Sequence, residues 1–344
     1  MKLTRCVGCA IILTISLAFL ACTAGGDERH ATERALGVTV EEFPTGQGPA
    51  GFDDLPDDTP QAAFAVEERQ VSGPSPREDY EKRPIVRAQA PDGSVYEAYC
   101  GYAGDEELAP AGPAGSGNRR QSYGTHHGAT YYPESVFIGK RQNGRINATL
   151  VFPDVGSHTT APHSLAVDSR GECHLAVADV NIYQDNRLEL YWVVGDPVTG
   201  KWTKAWLLER RGFTSWAYPG SVAWGDSVHL LWTWVNASDQ EALAQCGLFH
   251  VKWSPRGFSR KVRVAAGGID SWDLALAPES GLLLVVFSTD EGVFGATWKP
   301  DSAWTKPAKI LPEPSWALSL EASNEAFILR TGSEHMKEWL VKSL

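Results

Sequence analysis

The sequence predicts an all-β protein, a β-propeller of five four-stranded blades, with a sixth, degenerate blade as the alternative. Three observations predict it. A Trp-punctuated hairpin recurs along the chain, a second, shorter hairpin precedes each copy, and all 13 Trp fall between residues 192 and 339. The clearest copy is A-T-W-K-P-D-S-A-W-T-K, residues 296–306. An alternating apolar run closes on a Trp, Pro and Asp make a turn, and a second Trp opens the next run. Related phrases are V-K-W-S-P-R-G-F-S-R-K-V-R-V (251–264), L-Y-W-V-V-G-D-P-V-T-G-K-W-T-K-A-W-L-L (190–208) and the terminal K-E-W-L-V-K. Trp192, Trp253, Trp298 and Trp339 are expected at equivalent places, 61, 45 and 41 residues apart. A fainter copy, S-V-F-I-G-K-R-Q-N-G-R-I-N-A-T-L-V-F (135–152), turns on Asn-Gly.

The preceding hairpins share one pattern: a short apolar strand, a polar turn with Gly, Asp or Asn, and a more apolar strand. H-S-L-A-V-D-S-R-G-E-C-H-L-A-V and G-S-V-A-W-G-D-S-V-H-L-L-W are two of them. Two hairpins in series make a four-stranded unit that cannot bury both faces alone. Stacking copies around an axis buries the apolar faces between neighbours. The expected blades are 84–152, 163–210, 218–265, 271–311 and 315–344, the last one strand short. The large flat aromatics then fill the wedges between blades.

The N-terminus reads differently. Residues 1–21 form a secretory signal, with Lys2 and Arg5 ahead of the apolar stretch Cys6 to Leu20. The ending F-L-A-C resembles a bacterial lipobox, which implies acylation of Cys22 and anchoring in the cell envelope. Thr23 after the Cys points to the outer membrane; an ordinary secreted protein is the alternative. Without Lys2 and Arg5 the chain has 29 basic and 42 acidic residues, a net of −13. Residues 23–80 hold 13 of those acids and 4 bases, a net of −9. Residues 22–80 are therefore expected as an acidic, largely disordered tether holding a head at 81–344. Within it, 36–44 is the candidate strand that closes the last blade, and 61–66 its rival. No basic patch with interleaved aromatics exists, so nucleic acid is not an expected partner.

The hairpin grammar over 160–344, with a Gly-bearing turn followed by Trp, Thr and Lys, resembles the sialidase-like propellers with Asp-box repeats. That resemblance implies the fold. Asp196, Gly200 and Trp202 depart from the Asp-box spacing, and the arginine, Tyr/Glu and Asp set of a sialidase is not found. Sialidase activity is therefore not carried over.

Ligands of propellers gather at the channel mouth. The insertion 102–133 ends in Q-S-Y-G-T-H-H-G-A-T-Y-Y-P-E and concentrates His126, His127, Tyr131 and Glu134. His163, Trp216, Asp270 and Trp272 stand where inner strands begin, and these eight are the candidate ligand-binding residues. Converging imidazoles from this set, with His158, would suit a divalent metal, although no metal site or other cofactor is assigned. Glycan hydrolysis needs two carboxyl groups. Glu134, Asp270 and Asp273 are the acids available, with Arg87 as a carboxylate clamp. His174 and His229 occupy matching positions in two blades and are expected to be structural. Cys100, Cys173 and Cys246 allow at most one internal disulfide. The expected function is non-catalytic binding of a glycan or protein ligand by a membrane-tethered head. The alternative is a glycan-active enzyme, a glycoside hydrolase or polysaccharide lyase, at the same mouth.

Overall fold

A computed structural model describes residues 33, 37–47, 51–69, 86–101, 107–108, 125–126, 129–130, 135–142, 145–152, 163–181, 187–196, 201–212, 215–236, 245–300, 302–323, 326–332 and 336–344. Apart from Glu33, the regular structure there is strand. Each blade is an antiparallel meander. Blade 1 holds Val86–Gln89, Val95–Gly101, Ser135–Gln142 and Arg145–Phe152, from the innermost strand outward. Blade 2 holds His163–Val167, Cys173–Asn181, Arg187–Asp196 and Lys201–Gly212. Blade 3 holds Ser215–Trp224, Ser227–Asn236, Gly247–Ser254 and Val262–Ala266, and blade 4 holds Ser271–Ala277, Leu282–Thr289, Gly292–Trp298 and Ala308–Leu311. Blade 5 holds Leu318–Ser323, Ala326–Thr331 and Lys337–Ser343, completed by Phe64–Arg69 from the N-terminal side. The architecture is the expected all-β propeller of five blades.

Four apolar clusters fill the seams between successive blades. Tyr96, Ala98 and Ile138 meet Leu165, Leu175 and Trp202 between blades 1 and 2. Trp192 and Trp206 meet Trp232, Phe249 and Trp253 in the next seam. Leu231 and Leu248 meet Leu283, Trp298 and Trp304, and Leu284 and Val286 meet Phe327, Leu329 and Val341. Strand alternation does this: every second residue points to one neighbouring blade. Each buried Trp removes roughly 150–250 Å² from water. At about 25 cal/mol per Å² that is an upper bound of some 4–6 kcal/mol apiece.

The remaining faces, on blades 1 and 5, carry ion pairs among their described residues. Glu97 is fully buried between Arg87 Nε at 2.7 Å and Arg141 Nη2 at 2.6 Å. Burial alone would raise its pKa, but the two guanidinium partners hold it below the usual range. On blade 5, Arg330 pairs with Glu321 and Glu338, and Arg69 pairs with Glu338. Arg87, considered above as a clamp for a ligand carboxylate, instead has an internal partner.

The Trp register corrects the sequence expectation. Trp253 lies opposite Val228 and Trp298 opposite Leu283, both where the second strand begins. Trp192 lies opposite Ala176 and Trp339 opposite Leu329, further along their sheets. The turns after the third strands differ in length, so spacing along the chain does not translate into one structural position.

The acidic leader is corrected most. Over 37–47 and 51–69 it is a strap along the outer edges of blades 2 to 5. Val40–Glu42 pairs in parallel with the outermost strand of blade 2, Val40 opposite Ala205. Asp53–Asp54 does the same on blade 3, Asp53 opposite Val262, and Gln61 bridges to Lys306 of blade 4. The closing strand is Phe64–Arg69, which overlaps the rival 61–66; of the preferred 36–44, Val40–Glu42 pairs with blade 2 instead. Its acids meet basic outer strands: Arg210–Glu42 at 3.9 Å, Arg260–Asp53 at 3.2 Å and Arg263–Asp54 at 2.6 Å. Gln47 both accepts from the Lys261 N–H at 2.7 Å and donates to its carbonyl at 3.0 Å. Lys261 itself is buried, its ammonium donating to the Leu208 carbonyl at 3.1 Å and lying 5.3 Å from the Phe43 ring centre. Composition made this stretch look unable to fold. It does not fold alone; it is ordered by hydrogen-bonding edges that the blades supply.

Candidate functional site

Because each blade meanders, the connections between blades share one end of the propeller with the turns between second and third strands. This is the upper face. The other two turns of each blade lie on the lower face.

On the upper face, the inner strands of blades 3 and 4 begin with the same dipeptide, Ser215-Trp216 and Ser271-Trp272, and Ser315-Trp316 repeats it in the lead-in to the blade 5 inner strand. The serines pin blades 4 and 5 together. Ser271 Oγ donates to the Ser315 carbonyl at 2.7 Å, and the Ser315 N–H donates to Ser288 Oγ at 2.8 Å. Ser315 Oγ in turn donates to the Ala317 carbonyl at 2.8 Å and accepts from the Gly332 N–H at 3.2 Å. With its lead-in held this way, Trp316 stands 70% exposed, while Tyr218 on the blade 3 inner strand is 50% exposed. Trp272 is half-buried over Gly220, where an added Cβ would sit 2.7 Å from the indole.

The candidate acids divide. Asp273 bridges the inner strands, Oδ1 accepting from the Leu274 N–H at 2.8 Å and Oδ2 from the Leu320 N–H at 2.7 Å. Burial raises its pKa to about 6 against those two hydrogen bonds. Both of its oxygens are thus engaged in holding the blades. Asp270 is exposed, and partial desolvation together with Asp290 raises its pKa. His163 is buried in the seam between blades 1 and 2, where Nε2 donates to the Ala98 carbonyl at 3.1 Å. His163 begins the inner strand of blade 2 and Asp270 directly precedes that of blade 4, so blade 3 separates them.

Trp216 lies on its strand as paired backbone opposite Val235. His126 belongs to a short hairpin, Thr125–His126 with Ala129–Thr130. That insertion leaves and rejoins blade 1 at the upper face, where Gly101 is opposite Ser135. His127, Tyr131, Glu134, His158 and the lipidation candidate Cys22 lie outside the described residues. Of the cysteines, Cys173 and Cys246 are buried.

Two clefts open beside this face. The larger, of about 510 Å³, lies between blades 3 and 4 under the strap, lined by Asp54, Arg263, Gly267, Phe287, Asp290 and Lys306 among others. The smaller, of about 250 Å³, lies between blades 4 and 5 against Pro312, Ser315, Thr331, Lys337 and Trp339. Neither these clefts nor Trp316 entered the sequence reading. Aligning the three Ser-Trp lead-ins would have singled out Trp316; the clefts had no signal in one dimension.

The lower face holds a different chemistry. Asp168, Glu172 and His174 could together offer three ligand atoms to a metal ion. Arg170 already fills the position, with Nη2 at 2.6 Å from Asp168 Oδ2 and 2.5 Å from Glu172 Oε2. Burial alone would raise Asp168, yet hydrogen bonds from His174 and Arg170 hold it at about 2. This is an internally neutralised turn. His174 packs on Trp253 of blade 3 at 4.5 Å and His229 on Trp298 of blade 4 at 4.3 Å. Arg170 and Lys252 each lie 5.3 Å from the same two indoles. His229 Nδ1 and His250 Nε2 are 2.9 Å apart, one neutral imidazole donating to the other. Burial lowers His229 to about 3 and His250 well below its usual value, with Lys252 adding to both. Both matched histidines thus sit in inter-blade packing.

No family model and no curated protein sequence matches the chain. Solved structures do resemble it. A protein of unknown function from Dyadobacter fermentans is 11% identical, with a TM-score of 0.48 and 76% of each chain covered. A Hadza microbial sialidase is 9% identical over 76% of this chain and 52% of its own, with a TM-score of 0.43. A subtype N10 neuraminidase-like protein of A/little yellow-shouldered bat/Guatemala/060/2010 is 8% identical over 82% and 98%, with a TM-score of 0.42. At such identities the likeness is one of fold alone.

Proposed function

We infer that this propeller recognises a glycan at its upper face without turning it over. The observation that carries the reading is Trp316, 70% exposed in the lead-in to the blade 5 inner strand, beside a serine held by hydrogen bonds. Large apolar side chains are normally withdrawn from water. An exposed indole on a hydrogen-bonded lead-in presents a flat apolar surface, which suits the C–H face of a sugar ring. Tyr218 adds a second exposed aromatic among the inner strands. Non-catalytic binding is favoured over hydrolysis because Asp273, the acid whose pKa suits proton transfer, has both oxygens committed to backbone N–H groups.

Tethering belongs to the same proposal. Acylated Cys22 would hold the head through residues 23–36, at most roughly 50 Å of extended chain. A Cys22→Ser change should then release the protein from the membrane fraction. The experiment that tests recognition is a polysaccharide panel offered to the full chain, with retention and product release both measured. Retention without product, weakened in Trp316→Ala, is expected. Release of shortened glycan would replace binding by the enzyme alternative, and retention unchanged by Trp316→Ala would remove the reading.

A further inference from the structure

The two clefts differ in what their cations are doing. In the larger one Arg263 pairs with Asp54, Lys306 donates to the Asp57 carbonyl, and nearby Lys309 donates to the Glu291 carbonyl at 2.9 Å. In the smaller one Lys337 has no acidic partner among the described residues; its ammonium lies 5.9 Å from the Trp339 ring centre. Glu313 is also on the wall, exposed, and makes no ion pair with it.

Strand alternation aims these groups. Lys337 and Trp339 are two apart, opposite Thr331 and Leu329, and Leu329 is fully buried toward blade 4. All four therefore face the same seam. The buried Thr331 Oγ1 accepts the Trp339 indole N–H at 3.1 Å, and its own hydroxyl hydrogen remains available to donate, with no acceptor among the described residues. Pro312 and Pro314 stiffen the opposite wall. At about 250 Å³ the space falls below the roughly 300–1,000 Å³ typical of sites for drug-sized molecules, which suits a single ring.

The geometry points to a binding site for one anionic sugar residue in the cavity between blades 4 and 5, an assignment that rests on the glycan reading above. The ring's C–H face lies on Trp339, its carboxylate or sulfate meets Lys337, and a ring oxygen accepts from Thr331. Trp316, one residue beyond Ser315 of the cavity wall, is placed to take the next sugar along the chain. An ammonium at the rim, charged and supplied with three donors, favours the anion over the neutral sugar.

The test titrates the full chain with glucuronate, glucose 6-sulfate and glucose, following heat or indole fluorescence. At least one anionic sugar should bind tenfold or more tighter than glucose, and the stronger of the two identifies the acidic group. Lys337→Met should abolish that preference and Lys337→Arg should restore most of it, with circular dichroism and melting showing both variants folded. Equal binding of all three sugars, or a preference untouched by Lys337→Met, overturns the assignment. If neutral oligosaccharides are still retained through Trp316 in that case, glycan recognition survives and only this site falls. Binding of no saccharide at all removes both.

Discussion

The lower and upper faces of this propeller are made from opposite ends of the same strands, and they use aromatic side chains in opposite ways. On the lower face Trp253 and Trp298 are 3% and 7% exposed, each covered by a histidine of the preceding blade. Trp316 on the upper face is 70% exposed. The lower turns neutralise themselves, Arg170 lying between Asp168 and Glu172, while Lys337 above has no such partner among the described residues. The difference shows that residue type does not decide between core and platform. What decides is whether the next blade reaches over the side chain.

The largest way to break the comparison is to remove a lower-face latch. Trp253→Ala leaves a void under His174 and Arg170, and a loss of about 3–5 kcal/mol in urea unfolding is expected. A loss under about 1 kcal/mol would mean the latches do not hold the seam.

Acid should find the same face next. The folded pKa of His229 is about 3, below the ordinary value of 6.5, so below pH 6.5 the unfolded chain takes up protons that the folded chain refuses. Stability is complete above 6.5 and falls as pH drops toward 3, by up to about 1.4 kcal/mol per unit for this residue. Asp273, raised to about 6, acts oppositely: its contribution is full below its ordinary value of 3.8 and is lost as pH rises through 6. Unfolding midpoints compared at pH 7 and pH 4.5 should fall in the wild type and fall less in His229→Phe. An identical slope in both would exclude the histidine as the cause.

The strap gives a smaller effect. Gln47→Ala deletes two hydrogen bonds to the Lys261 backbone and should cost about 1–2 kcal/mol. Hydrogen exchange should quicken at Val40–Glu42 and Asp53–Asp54 while sugar binding is unchanged. Protection that stays as in the wild type would show that Gln47 does not hold the strap.

Trp316→Ala is the sharpest of the four and the smallest in stability. It should shift unfolding by no more than about 0.5 kcal/mol. It should weaken glycan retention about tenfold, as expected for one lost ring contact worth ~1.4 kcal/mol. A marked loss of stability instead would move this residue into the core class.

Much of the fold was legible because its signal is local. The short apolar runs in H-S-L-A-V and C-H-L-A-V placed two strands of blade 2, and its Asp168–Glu172 turn fell where polar residues cluster. The matched positions of His174 and His229 identified them as structural, and both lie in inter-blade packing. The site was far less legible. Asp273 looked like a mouth-facing acid until the Leu320 N–H, 47 residues away, was seen to claim it. Arg87 looked like a ligand clamp, yet Glu97 on the neighbouring strand holds it. Such commitments are set by partners distant in sequence or across a strand pair, and periodicity carries no record of them.

By itself, then, the sequence determined the repeating module: period-two patterning and turn chemistry dictate hairpins, and their apolar faces oblige each sheet to seek a neighbour. Only the tertiary structure decided the fate of the acidic leader. Its strands have too little apolar surface to form alone, and they exist because the outer edges of blades 2, 3 and 5 offer unpaired backbone groups and basic side chains. The same holds for Lys337 and Trp339. Their chemistry is written in the chain, but the cavity they line exists only where blade 4 ends and blade 5 begins.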